Sequence, residues 1–83
     1  MTWSWEYLPS EEQVIGGAPP TFAAEVEKKA DELVRAAEAV YLDGTSYRGE
    51  NPKSRTADVT GGMFEYLTVV RHEQIYIVQV TYL

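Results

Sequence analysis

Residues 74–83 read QIYIVQVTYL, and the placement of this stretch decides the fold. It is rich in β-branched and aromatic residues, which favour extended backbone. Alternation puts Tyr76, Val78, Val80 and Tyr82 on one face and Ile75, Ile77, Gln79 and Thr81 on the other, so both faces are partly apolar. At the edge of a sheet such a strand would template aggregation. It therefore belongs inside a sheet, with a neighbour on each side.

One neighbour lies just upstream. MFEYLTVVR (63–71) has the same character and connects to the last strand through His72 and Glu73 or a slightly longer turn. Before it, RTADV (55–59) reads as a shorter strand and TGG (60–62) as a tight connection. The other neighbour is expected from the far end of the chain. TWSWEYL (2–8) alternates, with Trp3, Trp5 and Tyr7 on one face and Ser4 and Glu6 on the other, until Pro9 stops it. SEEQ (10–13) then resembles a capping box, with Ser10 capping the amide of Gln13, and opens a short helical turn that Gly16 and Gly17 would close.

Between the two strand regions the period changes. From Phe22 the apolar residues fall at Val26, Ala30, Leu33, Val34, Ala37, Val40 and Tyr41, three or four apart on one stripe, with Lys28, Asp31, Glu32, Arg35 and Glu38 opposite. The spacing predicts a two-faced helix ~31 Å long at 1.5 Å per residue. Thr21 is its expected N-cap and Gly44 its left-handed C-cap. GTSYRGENPKS (44–54) is turn chemistry throughout and reads as a loop. Together these elements predict one α+β domain over residues 1–83: an antiparallel sheet of about four strands with one long helix on one face, in the order β-α-β-β-β, plus the short turn after the first strand.

Composition narrows the chemistry. The chain has 83 residues, no cysteine and one histidine, so disulfides, thiolate zinc sites and cysteine nucleophiles are excluded. No metal or cofactor site is expected. The start of the chain lacks a basic, then apolar, leader, and no apolar run approaches the ~18–20 residues that span a bilayer, so a soluble, cytoplasmic protein without membrane contact is expected. The formal charge of −6 is uneven: residues 1–45 carry nine acidic and three basic side chains, whereas residues 46–83 carry four of each. An acidic body repels phosphate backbones.

Several possible sites can be weighed. HEQIY (72–76) begins like a zinc-binding H-E-x-x-H segment but has Tyr76 where the second histidine belongs, and it runs into a strand instead of a helix. TGG lacks the residues of a phosphate loop. Glu65 and Glu73 have the types of an acid/base couple but read as surface charges. The one basic cluster is Arg48, Lys53 and Arg55, with Tyr47 beside it; an aromatic among cations is the equipment that grips single-stranded nucleic acid, so Tyr47, Arg48, Lys53 and Arg55 are its nucleic-acid-binding candidates. Trp3, Trp5, Tyr66, Tyr76 and Tyr82 sit at strand spacing and read as core or as a protein interface.

The order of elements, the size and the closing GGMFEYLTVVRHEQIYIVQVTYL (61–83) resemble the RelE/ParE toxin superfamily of bacterial toxin-antitoxin systems, over nearly the whole chain. In that family a first strand leads into helices and then a glycine-led hairpin. The resemblance implies one of two activities. Members that cleave messenger RNA on the ribosome use basic residues on the sheet, an arginine on the penultimate strand and a C-terminal tyrosine or histidine; by position Lys53, Arg55 and Tyr82 match, and they are the catalytic candidates. Glu65, however, stands on the penultimate strand where the arginine is expected, and an anion there repels phosphate. Nor does a basic segment follow Leu83 in this sequence. The ParE-like branch binds gyrase without cutting RNA and needs no such set. The leading expectation is therefore a domain that binds a protein, whether an antitoxin, gyrase or another cellular target; a weak messenger RNA endonuclease and an orphan domain with no site are the alternatives.

Overall fold

In a computed structural model, which describes residues 3–41 and 54–83, the chain runs strand, two helices, three strands. These are β1 (Ser4–Tyr7), α1 (Glu11–Ile15), α2 (Pro20–Val40), β2 (Ser54–Val59), β3 (Gly62–Val69) and β4 (Gln74–Tyr82). The sheet order is β1-β4-β3-β2, so the doubly apolar last strand lies inside the sheet with β1 on one side and β3 on the other.

The sheet is mixed, a correction to the antiparallel expectation. β2, β3 and β4 pair antiparallel, but β1 runs parallel to β4, from Ser4 opposite Gln74 to Tyr7 opposite Ile77. The cause is the long helix. At its start Phe22 touches Tyr82, at the end of β4, and at its end Ala37 packs with Ile75, near the start of β4, so α2 returns the chain to the end of the sheet where β1 began. β2 then sets out in the direction of β1, and two hairpin reversals bring β4 parallel to it.

α2 starts two residues earlier than an N-cap at Thr21 implies. Pro20 takes the first helical position, where its missing N–H costs nothing, and Pro19 occupies the N-cap without a side-chain bond. The helix ends at Val40, with the Tyr41 N–H donating to the Ala37 carbonyl; the expected cap at Gly44 lies outside the described residues. α1 forms as expected, with Ser10 Oγ accepting from the Gln13 N–H at 3.3 Å. Gly16 closes it in right-handed conformation at φ −58°.

Both helices pack on the same face of the sheet. Phe22, Val26 and Ala30 of α2 are buried against Phe64 and Ile77, with Tyr7, Ile15 and Ala57 completing this cluster. Trp3, Ala37 and Ile75 form a second cluster, and Trp5, Leu33 and Tyr66 touch both. Each large side chain removed from water in this layer contributes ~1.5–3 kcal/mol. Polar groups fix the alignment: Trp5 Nε1 donates to Asp31 Oδ1 at 2.9 Å, tying β1 to α2, and Ser4 Oγ donates to Gln74 Oε1 at 2.7 Å, tying β1 to β4.

A bulge corrects the expected faces of β4. Tyr66 lies opposite Ile77 and Glu65 opposite Gln79, which leaves Val78 without a partner on β3. The alternation resets there. Ile75 and Ile77 face the helices before the bulge, and Val80 and Tyr82 after it: Val80 packs on the first cluster and the Tyr82 ring meets Phe22 edge-on at 5.2 Å. The turn between β3 and β4 is also longer than two residues, with a 3-10 turn at Val70–His72 followed by Glu73 at φ 51°.

Gly61 and Gly62 make the β2–β3 turn possible. Gly61 adopts φ 93°, and a Cβ on Gly62 would collide with the Thr81 carbonyl oxygen and come within 2.9 Å of Phe22 Cε1. Gly62→Ala is therefore expected to destabilise the protein by ~1–3 kcal/mol, as overpacking does, whereas Gly17→Ala, where a Cβ meets nothing within 4 Å, is expected to be neutral or slightly stabilising. Urea unfolding of the two variants checks both. Ile77→Ala, at a fully buried position, is expected to cost ~2–5 kcal/mol in the same measurement.

Candidate functional site

Of the residues singled out for nucleic acid or catalysis, Tyr47, Arg48 and Lys53 lie outside the described residues. Arg55 is exposed on β2, which ends the sheet order, and pairs with Tyr66. Tyr82 is at the end of β4, 57% exposed, opposite Gly62. Gly62 in turn lies opposite Val59, four residues beyond Arg55 on β2. At ~3.3 Å per residue and ~4.8 Å per strand the two are ~16 Å apart, so the fold does not bring them to one reacting atom. His72 is exposed in the β3–β4 turn, its Nδ1 3.0 Å from Tyr76 Oη. Glu65 is exposed on β3, on the face away from the helices.

That face holds the fuller site. No described α-helix or strand packs on it, and among the described residues only the His72 ring, from the β3–β4 turn, meets it, edge-on to Tyr76 with ring centroids 6.1 Å apart. Residues paired across the ladders share a face, so Glu6, Tyr76, Leu67 and Ser54 form one row across all four strands. The next row is Gln79, Glu65 and Thr56, and beyond it lie Thr81, Met63 and Asp58. Leu8 continues the outward set of β1, with its N–H donating to the Ile77 carbonyl and Val78 next along β4. Leu8, Val78, Tyr76 and Leu67 thus make a contiguous apolar strip. Leu8 is 42% exposed and the other three are half-buried by their strand neighbours. The strip is bordered by Glu6 on one side and Glu65 on the other, both exposed.

Of the five aromatics expected in a core or an interface, Trp3 is buried, and Trp5 and Tyr66 pack against the core. Tyr76 alone reaches the outer face. The strip escaped sequence reasoning because alternation ignores the bulge: it assigned Val80 and Tyr82 to the same side as Tyr76. A two-versus-one mismatch between facing strands leaves no mark in a single strand's sequence.

Elsewhere the features are less selective. An open groove of about 420 Å³ between α2 and the β2–β3 turn is lined by Glu25, Lys28, Lys29, Glu32, Asp58 and Thr60. Its charges oppose one another, as in the exposed Lys29–Glu32 pair at 3.9 Å, which contributes little. Among the described residues no three histidine or carboxylate side chains gather as metal ligands, and no helix is long and apolar enough to cross a membrane. No protein-family model, curated protein or solved structure matches the chain.

Among the described residues one titratable group is strongly perturbed. The Tyr7 hydroxyl is buried with no hydrogen-bond partner among the described residues, and its pKa is pushed up to about 12 by burial, with Glu27 and Glu11 adding to the effect. Because the folded-state value lies above the unfolded value of 10.0, stability is full below pH 10 and falls as pH rises from there towards 12, where the unfolded chain ionises first. Urea midpoints across that alkaline range are expected to decline less in Tyr7→Phe than in wild type. At pH 7 the same variant, which removes an unpartnered buried hydroxyl, is expected to be at least as stable.

Proposed function

We propose that this chain is a small protein-binding domain of the RelE/ParE type, acting in the cytoplasm on an antitoxin, gyrase or another cellular target rather than by cutting RNA. The observation that carries the reading is the outer face of the sheet, where Leu8, Leu67, Tyr76 and Val78 stand together, covered by no described α-helix or strand and touched at one end by His72. Contiguous apolar surface rimmed by polar groups is the usual mark of a protein interface. The likeness to RelE/ParE is supported by the element order, a strand, two helices and an antiparallel hairpin entered through Gly61 and Gly62.

Two placements weigh against the nuclease alternative. Arg55 and Tyr82 stand at separate corners of the sheet, and Glu65 puts a carboxylate at the centre of its open face. Phosphoryl chemistry needs positive groups converging on one phosphate.

The test is expression of the tagged chain in bacterial cells, with growth, RNA integrity and co-purifying protein followed together. A specific partner is expected with wild type and with Arg55→Ala. Leu67→Arg, which places a charge in the apolar strip, is expected to reduce its recovery about tenfold, as the loss of one interface anchor does. RNA cleavage that Arg55→Ala abolishes would establish the nuclease instead, and a partner retained in full by Leu67→Arg would remove the outer face from the interaction.

A further inference from the structure

Resting on the reading that the outer face receives a protein, the charges on that face say which kind. Every charged strand residue at an outward ladder position among those described is a carboxylate: Glu6 on β1, Glu65 on β3 and Asp58 on the edge strand β2, where it also borders the groove beside α2, all exposed. Arg55 pairs with Tyr66 and so lies on the helix side, and Arg71 is in the turn at one end. The chain as a whole carries −6. A second copy laid on this face would set three carboxylates against three, and nucleic acid or an anionic lipid surface would be repelled in the same way.

The shape of the face selects the backbone of the partner. An extended segment finds its hydrogen bonds at a strand edge, by adding to the ladder. Across the middle of a sheet there are only side chains, so a segment lying there must satisfy its own N–H and C=O groups, which a helix does internally. The opposite face of this same sheet already accepts one, α2, on Phe64 and Ile77.

We propose that the outer face binds a positively charged amphipathic helix of another protein, its apolar stripe seated on Leu67, Tyr76 and Val78 and its lysines or arginines against Glu6 and Glu65, with Asp58 further along. The carboxylates flank the apolar strip on both sides, which is where a helix carrying an apolar stripe would present its bordering residues. The complex is a three-layer sandwich, helix on sheet on helix. Attraction between the −6 chain and a cationic helix speeds encounter and makes binding salt-dependent.

The test uses the full isotope-labelled chain and three synthetic peptides of about 18 residues, ~27 Å as a helix. One has a leucine stripe flanked by lysines, one the same stripe flanked by glutamates, and one the lysines with serine in place of every leucine. Amide shifts in nuclear magnetic resonance locate and quantify binding. The Leu/Lys peptide is expected to shift Glu65, Leu67, Tyr76 and Val78 and to bind at least tenfold more tightly than either control. Combined Glu6→Gln, Glu65→Gln and Asp58→Asn replacement is expected to weaken it about tenfold with thermal unfolding unchanged, since all three carboxylates are exposed. Shifts confined to α2, equal binding of the Ser/Lys peptide, or full affinity in the triple variant would overturn the proposal. Equal binding of the Leu/Glu peptide at the same amides also overturns the cationic partner but leaves the protein-binding reading standing, since that reading is decided separately by RNA integrity and by the partner recovered with wild type and Leu67→Arg.

Discussion

Pairing on both sides of β4 is the constraint on which the rest of the structure depends. Its backbone is shared between a parallel ladder to β1 and an antiparallel ladder to β3, and its Ile75 and Ile77 are buried beneath α2. Remove that strand and β1 has no partner, while β3 keeps only β2. The small size of the chain makes such sharing necessary, because a short domain buries a limited fraction of its surface and one central strand must serve two neighbours and a helix layer. The polar ties from β1 to Gln74 and Asp31 are secondary: they choose the register of an arrangement that apolar burial has already brought together.

The bulge at Val78 reconciles two demands on that strand. Near its start the helix layer needs Ile75 and Ile77, and near its end it needs Val80 and Tyr82, which strict alternation would place outside. One extra residue changes the parity. The reset brings Tyr82 onto Phe22 at the first turn of α2 and sends Gln79 and Thr81 outward, where they are exposed. It also leaves Val78 beside Tyr76 on the open side, so the device that completes the core is the one that assembles the outer apolar strip.

Much of this architecture was legible in the residues. The helix showed itself through the spacing from Phe22 to Ala37, the interior position of β4 through its two apolar faces, and β1 through the alternation of its aromatics. What stayed hidden was relational. Whether β1 runs parallel or antiparallel depends on how far α2 carries the chain back, and the bulge depends on a mismatch between β3 and β4. The candidate site was harder still. Arg55 and Tyr82 match a catalytic set in order along the chain, yet the ladders hold them at different corners, whereas Leu8, Leu67, Tyr76 and Val78 are scattered in sequence and adjacent in space.

The parallel pairing of β1 with β4 also sets the order in which the molecule can assemble. Ser4 and Gln74, joined by a side-chain hydrogen bond, are 70 residues apart, so closing that loop costs more chain entropy than forming either local hairpin. The helix and the β2–β3–β4 meander involve near neighbours and can form first. β1 is therefore expected to dock last, and until β4 is in place Trp5 has no ladder to join. Until then Trp3, Trp5 and Tyr7 lack the core into which they pack, and apolar side chains left open in this way are the kind of surface that chaperones bind.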